Sequence, residues 1–239
     1  MNTIHHPAGL RGHANHGWLK TWHSFSFAGW YDPHKVHFGA LRVLNDDYVA
    51  GGMGFASHPH DNMEIVTLMM EGTLEHQDSM GHRELLRAGE VQAMSAGTGI
   101  MHSERNASPT ESLHLFQIWV FPKEKNTTPR YAQKSFAEQI DQAESGCTLL
   151  VSPDGALGSM EIGQDAWFSM VKMAEGSTFS YDLKKAGNGV YAFLVSGNVS
   201  IGGISLHHRD ALGITDTAQI GFHASSASKV LLIEVPMHW

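Results

Sequence analysis

Short segments of alternating apolar and polar residues, rich in β-branched and aromatic side chains, recur along the chain between turn signals. Long helical periodicity is missing almost everywhere. Segments 22–27, 41–44, 64–70, 73–78, 82–86, 91–94 and 113–121 read as strands. They are bounded by Asn45-Asp46-Asp47, Glu71-Gly72, Ser79-Met80-Gly81 and Ala88-Gly89-Glu90, residues that favour turns. The pattern predicts an all-β protein, a sandwich or barrel.

One stretch departs from it. Ser135-Phe136-Ala137-Glu138 has the form of a capping box, and Phe136, Ile140 and Ala143 share a helical face before Gly146, so a short helix is expected there. It follows a polar stretch with two prolines, Pro122 and Pro129, which divides the chain into halves at 1–132 and 133–239. The second half echoes the first. Glu71-Gly72-Thr73-Leu74 and Ala88-Gly89-Glu90 return as Ser196-Gly197-Asn198-Val199 and Arg209-Asp210-Ala211, and each half closes on an apolar strand. Two tandem β-barrels from one ancestral unit follow, joined by the helix.

Composition narrows the function classes. The net charge is −8, and the sixteen Lys and Arg are scattered without a basic run, so no direct nucleic-acid ligand is expected. Cys147 is the only cysteine, which excludes an intrachain disulfide and a thiolate metal cage and points to a reducing, cytoplasmic setting. No stretch approaches the ~18 consecutive apolar residues of a membrane span, and the first residues lack the pattern of a signal peptide.

Histidine is the outlier, at 17 of 239 residues, a frequency at which one His-x-His pair arises by chance about once. His58-Pro59-His60 follows the glycine-rich 51–54 stretch, and in an extended chain residues i and i+2 project to one face. Pro59 between them removes a ladder N–H, which suits a strand start or an edge. His102-Ser103-Glu104 has the same spacing after Gly97 and Gly99. If its strand lies across the barrel from the first, three imidazoles and one carboxylate meet, a donor set for Fe(II), Mn(II), Ni(II), Cu(II) or Zn(II) with positions left open for chemistry. Spacing alone does not separate such ligands from hydrogen-bonded structural histidines. His82-Arg83-Glu84 has the same form, yet it follows a turn and reads as a solvated hairpin edge.

Gly52-x5-His58-x-His60-x3-Glu64, followed by Gly72, resembles the first cupin motif, and Gly97-x-Gly99-x2-His102-x3-Asn106 resembles the second. Both deviate, the first by a glycine one residue late and the second by Gly97 in place of proline. Within the cupins the chain resembles the pirins, through residues 12–19, 22–27, 58–60, 71–79 and 95–104. Residues 132–239 resemble them only in size and strand content.

The resemblance implies two tandem cupin barrels with one metal ion, in the N-terminal barrel, held by His58, His60, His102 and Glu104. It implies Fe(II) first among the candidate ions, and an activity such as that of quercetin 2,3-dioxygenase, which opens a flavonol ring with O2 and releases carbon monoxide. Glu104 would then be both ligand and base. The matching stretch of the second half, 177–182, has no histidine, and His207-His208 reads as surface. Glu64 is expected beside a ligand histidine rather than on the ion. His76, His114 and Gln117 are candidates for the cavity wall, with His114 and Gln117 on opposite strand faces. Trp22, Phe25, Phe27 and Trp30 are candidates for an aromatic entrance. Two alternatives stand beside the oxygenase: a regulatory protein that binds a transcription factor or metabolic enzyme in a metal-dependent way, and a cupin isomerase or epimerase, for which no dedicated acid–base pair is evident.

Overall fold

The alternating segments pair into 22 strands in the computed structural model, which describes residues 1–142, without the side chain of Gln142, and 145–239. The first half carries β2 (Gly12–Asn15), β3 (Leu19–His23), β4 (Leu41–Val49), β5 (Gly54–His60), β6 (Glu64–Glu71), β7 (Thr73–Asp78), β8 (Arg83–Arg87), β9 (Glu90–Ser95), β10 (Ile100–Asn106), β11 (Leu113–Val120) and β12 (Arg130–Ser135). The second carries β13 (Gly146–Ser152), β14 (Met160–Glu161), β15 (Trp167–Met173), β16 (Thr178–Asp182), β17 (Asn188–Ser196), β18 (Val199–Ile201), β19 (Ile204–Leu206), β20 (Ala211–Thr215), β21 (Gln219–Ala224) and β22 (Ser228–Pro236). Helix α1 (Ala137–Gln142) stands between them, with Phe136 and Ile140 packed into the core. Ala143, expected on the same helical face, lies outside the described residues.

Each barrel is a seven-stranded sheet facing a four-stranded one. The first has the order β12-β9-β6-β11-β4-β3-β2 over β5-β10-β7-β8. The second has β1-β20-β17-β22-β15-β13-β14 over β16-β21-β18-β19, where β1 is Asn2–His6. The internal repeat seen in the sequence is thus a repeat of sheet order, with Gly72 (φ 81°) and Gly197 (φ 88°) making equivalent turns after β6 and β17. Two segments cross the division between halves. β12 runs through the 132/133 boundary to pair with β9, and β1 leaves the start of the chain to pair with β20, at the edge that β12 occupies in the first sheet.

The two large sheets pack face to face. Val66, Leu68, Phe116, Ile118 and Val120 of the first meet Phe168, Tyr191, Phe193, Leu231 and Ile233 of the second in the main core. Leu19, Val49, Met69, Leu74, Leu86 and Leu115 form a smaller core inside the first barrel, between its own two sheets. Strands such as β4, β6 and β11 are therefore buried on both faces.

That burial overrides the local turn signal at Asn45-Asp46-Asp47, which lies inside β4 as extended strand. Asp46 faces the second barrel, where it accepts from His114 Nε2 (2.7 Å) and pairs with Arg11 Nη1 (3.2 Å) and Arg209 Nε (3.1 Å). Burial pushes the Asp46 carboxyl up, but the His114 hydrogen bond and the two guanidiniums outweigh it and hold it below its ordinary value. Segment 22–27 is the converse case: β3 ends at His23, and the chain bends so that Phe27 bridges Trp30. Because Arg11 and Arg209 would be left as unpaired buried charges, Asp46→Asn is expected to cost about 3–5 kcal/mol in urea unfolding. A cost under about 1 kcal/mol would show that the cluster does not join the barrels.

Candidate metal centre

Strands β5 and β10 carry the two histidine motifs, and they are hydrogen-bonded antiparallel neighbours in the small sheet, with His58 opposite His102 and His60 opposite Ile100. The expected arrangement across the barrel is replaced by a tighter one within one sheet. β5 is an edge strand, so the missing N–H of Pro59 breaks no ladder. A bulge sets the pair: Ala56 and Ser57 of β5 oppose Ser103 alone, so that Phe55, three residues before His58, also reaches the cavity. Gly54 permits the close crossing, since a Cβ there would collide with the carbonyl oxygen of Glu104.

His58, His60 and His102 each offer a ring nitrogen within 4.8 Å of the other two. His58 Nδ1–H donates to the Ala56 carbonyl (2.8 Å), which leaves the Nε2 lone pair free, and His102 Nε2 lies 3.0 Å from it. Burial, reinforced by the neighbouring imidazoles, pushes His102 down to about 3, and burial with His58 pushes His60 to about 4. The His60 and His102 rings are thus neutral donors at physiological pH.

Glu104, two residues after His102, is buried and accepts from Gln117 Nε2 at 3.2 and 3.4 Å. Its carboxylate falls within 4.8 Å of donors on His102 and His76, a second grouping that shares His102 with the first. Burial raises Glu104 to about 7 against the opposing Gln117 hydrogen bond. It raises Asp47 likewise to about 7, with Thr21 opposing and Asp46 and Glu104 adding to it. Among the described residues, no Lys or Arg lines the cavity that holds these groups. Converging imidazoles beside uncompensated carboxyls fit a cation.

The cavity has a volume of about 580 Å³, within the range of small-molecule sites. Trp18, Phe27, Phe55 and Trp119 wall it. Thr21, His23, Asn45 and Asp47 line its side, and His58, His60, Glu104 and Gln117 its base.

A family model described as Pirin matches residues 5–120, and one described as Quercetinase C-terminal cupin domain matches residues 149–235. The chain is 48% identical over 229 residues to the quercetin 2,3-dioxygenase of Escherichia coli (strain K12), covering 96% of each chain. The chain belongs to the pirin family. A pirin-like protein of Caulobacter vibrioides is 40% identical, over 95% of this chain and 97% of its own. Among solved structures, the bacterial pirin YhhW of Escherichia coli in complex with nickel(II) superposes with a TM-score of 0.92 at 47% identity, covering 98% of this chain and 99% of that one.

Several sequence expectations are relocated by this pirin fold. Glu64 is not beside a ligand histidine. It lies on the outer face of β6 with Val66 and Leu68, where it accepts from Ser95 Oγ (2.7 Å) and from Gly163 N of the second half (3.0 Å). His114 likewise points outward to Asp46 and stacks on Tyr48, while Gln117 points inward to Glu104. His76 sits behind the site against His102. Of the four proposed entrance aromatics only Phe27 lines the cavity. Trp22 packs on His13 and Tyr48 outside it, Phe25 enters the core between barrels, and Trp30 closes over Gly12. His207 and His208 are exposed as expected.

Trp18, Phe55, Trp119, Asn45 and Asp47 were missed. Trp119 was within reach, two residues from Gln117 on the same strand face; Phe55 was hidden by the bulge, and Asn45 and Asp47 by their resemblance to a turn.

Folded values near 7 for Glu104 and Asp47 lie above the ~4 of an unfolded carboxyl, so the native protein holds protons that the unfolded chain has released. The contribution of these two carboxyls to the stability of the chelator-treated protein therefore falls as pH rises from about 4 to about 7, while the depressed His60 and His102 contribute in the opposite sense. Asp47→Asn removes part of this, and is expected to raise Tm more at pH 8 than at pH 5. An equal or larger gain at pH 5 would contradict it.

Proposed function

We propose that this pirin is a metal-dependent dioxygenase of flavonols, opening the ring of quercetin or a close relative with O2 and releasing carbon monoxide. The observation that carries the reading is the convergence of the His58, His60 and His102 rings, with the buried Glu104 carboxyl grouped with His102, beside an aromatic-walled cavity that His58, His60 and Glu104 line. It stands in a chain 48% identical to a curated quercetin 2,3-dioxygenase over nearly its whole length, which favours turnover over the regulatory alternative.

His58, His60, His102 and Glu104 are the proposed ligands. Three imidazoles and a carboxylate suit a borderline divalent ion, and Fe(II) is the ion proposed, with Zn, Ni, Cu and Mn as competitors. Such an ion supplies Lewis acidity and orientation to the oxygen atoms of the substrate and of O2. The rings of Trp18, Phe27, Phe55 and Trp119 hold a flat polycyclic phenol by stacking and exclude water around it. Glu104, whose carboxyl lines the cavity, takes the proton of the flavonol 3-hydroxyl. Gln117 keeps the carboxylate turned to the cavity through its amide hydrogen bond.

A small aromatic substrate and O2 are thus the proposed partners. No described helix is long and apolar enough to cross a membrane, and the cytoplasm is the proposed compartment.

Glu104→Gln is expected to fold as wild type and to lose on the order of 100-fold or more in turnover, while His58→Ala and His102→Ala lose bound metal. Metal content by mass spectrometry and carbon monoxide release from quercetin, after reconstitution with each ion, check both, and Fe(II) is expected to give the highest turnover. Metal-free protein that releases carbon monoxide at the wild-type rate would overturn the reading.

A further inference from the structure

Behind the candidate centre, on the side away from the cavity, β7 places His76 opposite Glu104 and Asp78 opposite His102. His76 has no solvent exposure, and its ring lies 5.4 Å from that of His102 between centroids. Asp78 Oδ2 meets His76 Nε2 at 3.2 Å and His82 Nδ1 at 2.9 Å, and Asp78 Oδ1 accepts from the backbone N–H groups of Met80 and His82. Tyr131 of β12 stacks on both rings, at 4.6 Å from His76 and 4.7 Å from His82, with 24° between planes in each case. The His76 ring is held by a carboxylate on its edge and an aromatic ring on its face.

The hydrogen-bond inventory of this cluster leaves two atoms over. His76 Nδ1 and His102 Nδ1 are both buried, and both lack a partner. Asp78 can only accept, so His76 carries its proton on Nε2 and presents a bare lone pair at Nδ1. A His102 that binds an ion through Nε2 must carry its own proton on Nδ1, and a buried N–H of that kind needs an acceptor. The two orphans are complementary and sit on neighbouring rings, 5.4 Å between centroids, that do not yet meet in a hydrogen bond.

We propose that His76, with its tautomer set by Asp78, is the positioning residue that accepts the Nδ1 proton of His102 and so keeps the His102 Nε2 lone pair turned toward the ion. The inference rests on the metal-site reading above, but not on the identity of the substrate. The part of the ligand usually supplied by a carboxylate or carbonyl oxygen is here supplied by a second imidazole, itself anchored by a carboxylate. His82, which shares Asp78, extends the chain to the protein surface. The grouping of His76 with His102 and Glu104 is then a supporting contact and no separate metal seat.

The test is nickel(II) affinity of the full-length protein by competition with a chromophoric chelator, in His76→Phe and His76→Asn. Phenylalanine keeps the stack on Tyr131 and removes the acceptor. Asparagine places an amide oxygen near the position of Nδ1. His76→Phe is expected to weaken nickel binding by about 10- to 100-fold with an unchanged fold by circular dichroism, and His76→Asn to recover most of that loss. In long-range 1H–15N spectra of the zinc-loaded protein, His102 is expected as the Nδ1–H tautomer in wild type. Wild-type affinity in His76→Phe, or no recovery in His76→Asn, would overturn the proposal. So would a nickel ion retained by His58→Ala/His60→Ala and lost when His76→Phe is added, since His76 would then be a ligand. Loss of binding in His58→Ala with a wild-type His76→Phe would fault the proposal alone, whereas full affinity in His58→Ala would fault the metal-site reading beneath it.

Discussion

The large sheet of the first barrel is buried on both faces, and most of what is particular to this protein follows from that constraint. A strand presents successive side chains to opposite sides. On β4, β6 and β11 one side meets the second barrel and the other meets either the inner core or the cavity. A polar residue on such a strand has no solvent to turn to and must be satisfied where it lies. The outward positions are closed by Asp46 with Arg11, Arg209 and His114, and by Glu64 with Ser95 and Gly163. The inward positions, Asn45, Asp47 and Gln117, form the polar side of the cavity.

The second barrel therefore has a structural relation to the site. Its Arg209 neutralises a carboxylate flanked on both sides by cavity residues, and its sheet supplies the apolar face on which β6 and β11 rest. The chain secures this pairing twice more, by lending β1 to the second sheet and by running β12 along the first. The small sheet, β5-β10-β7-β8, is the freer part of the first barrel, and the three histidines and Glu104 all sit on it. A bulge and an edge-strand proline could be accommodated there because no second barrel packs against that sheet.

How much of this was legible in the sequence depended on whether a residue's role is local. The i, i+2 spacing of His58/His60 and of His102/Glu104 is a local geometric fact, and it survived as shared strand faces. The strands themselves were read closely where alternation was uninterrupted, as at 73–78. The pairing of β5 with β10 as neighbours was not legible, because register is a property of two distant segments. Asn45-Asp46-Asp47 was misread since turn propensity and strand membership conflict there, and burial between two barrels decided the matter. Glu64 was misplaced for the same reason: motif position suggested the metal, while strand parity placed it with Val66 and Leu68 on the opposite face. His76 could be nominated from its strand but not given a task, which depends on Asp78, Tyr131 and the unpaired nitrogen of His102.

The central claim is that a single ion is held by residues of two adjacent strands at the base of the aromatic cavity. An anomalous difference map from crystals of the nickel- or iron-loaded protein tests it most directly. One peak bonded to His58, His60, His102 and Glu104 and open to the cavity is the predicted result. A peak that excludes Glu104, or one bonded through His76, would contradict it.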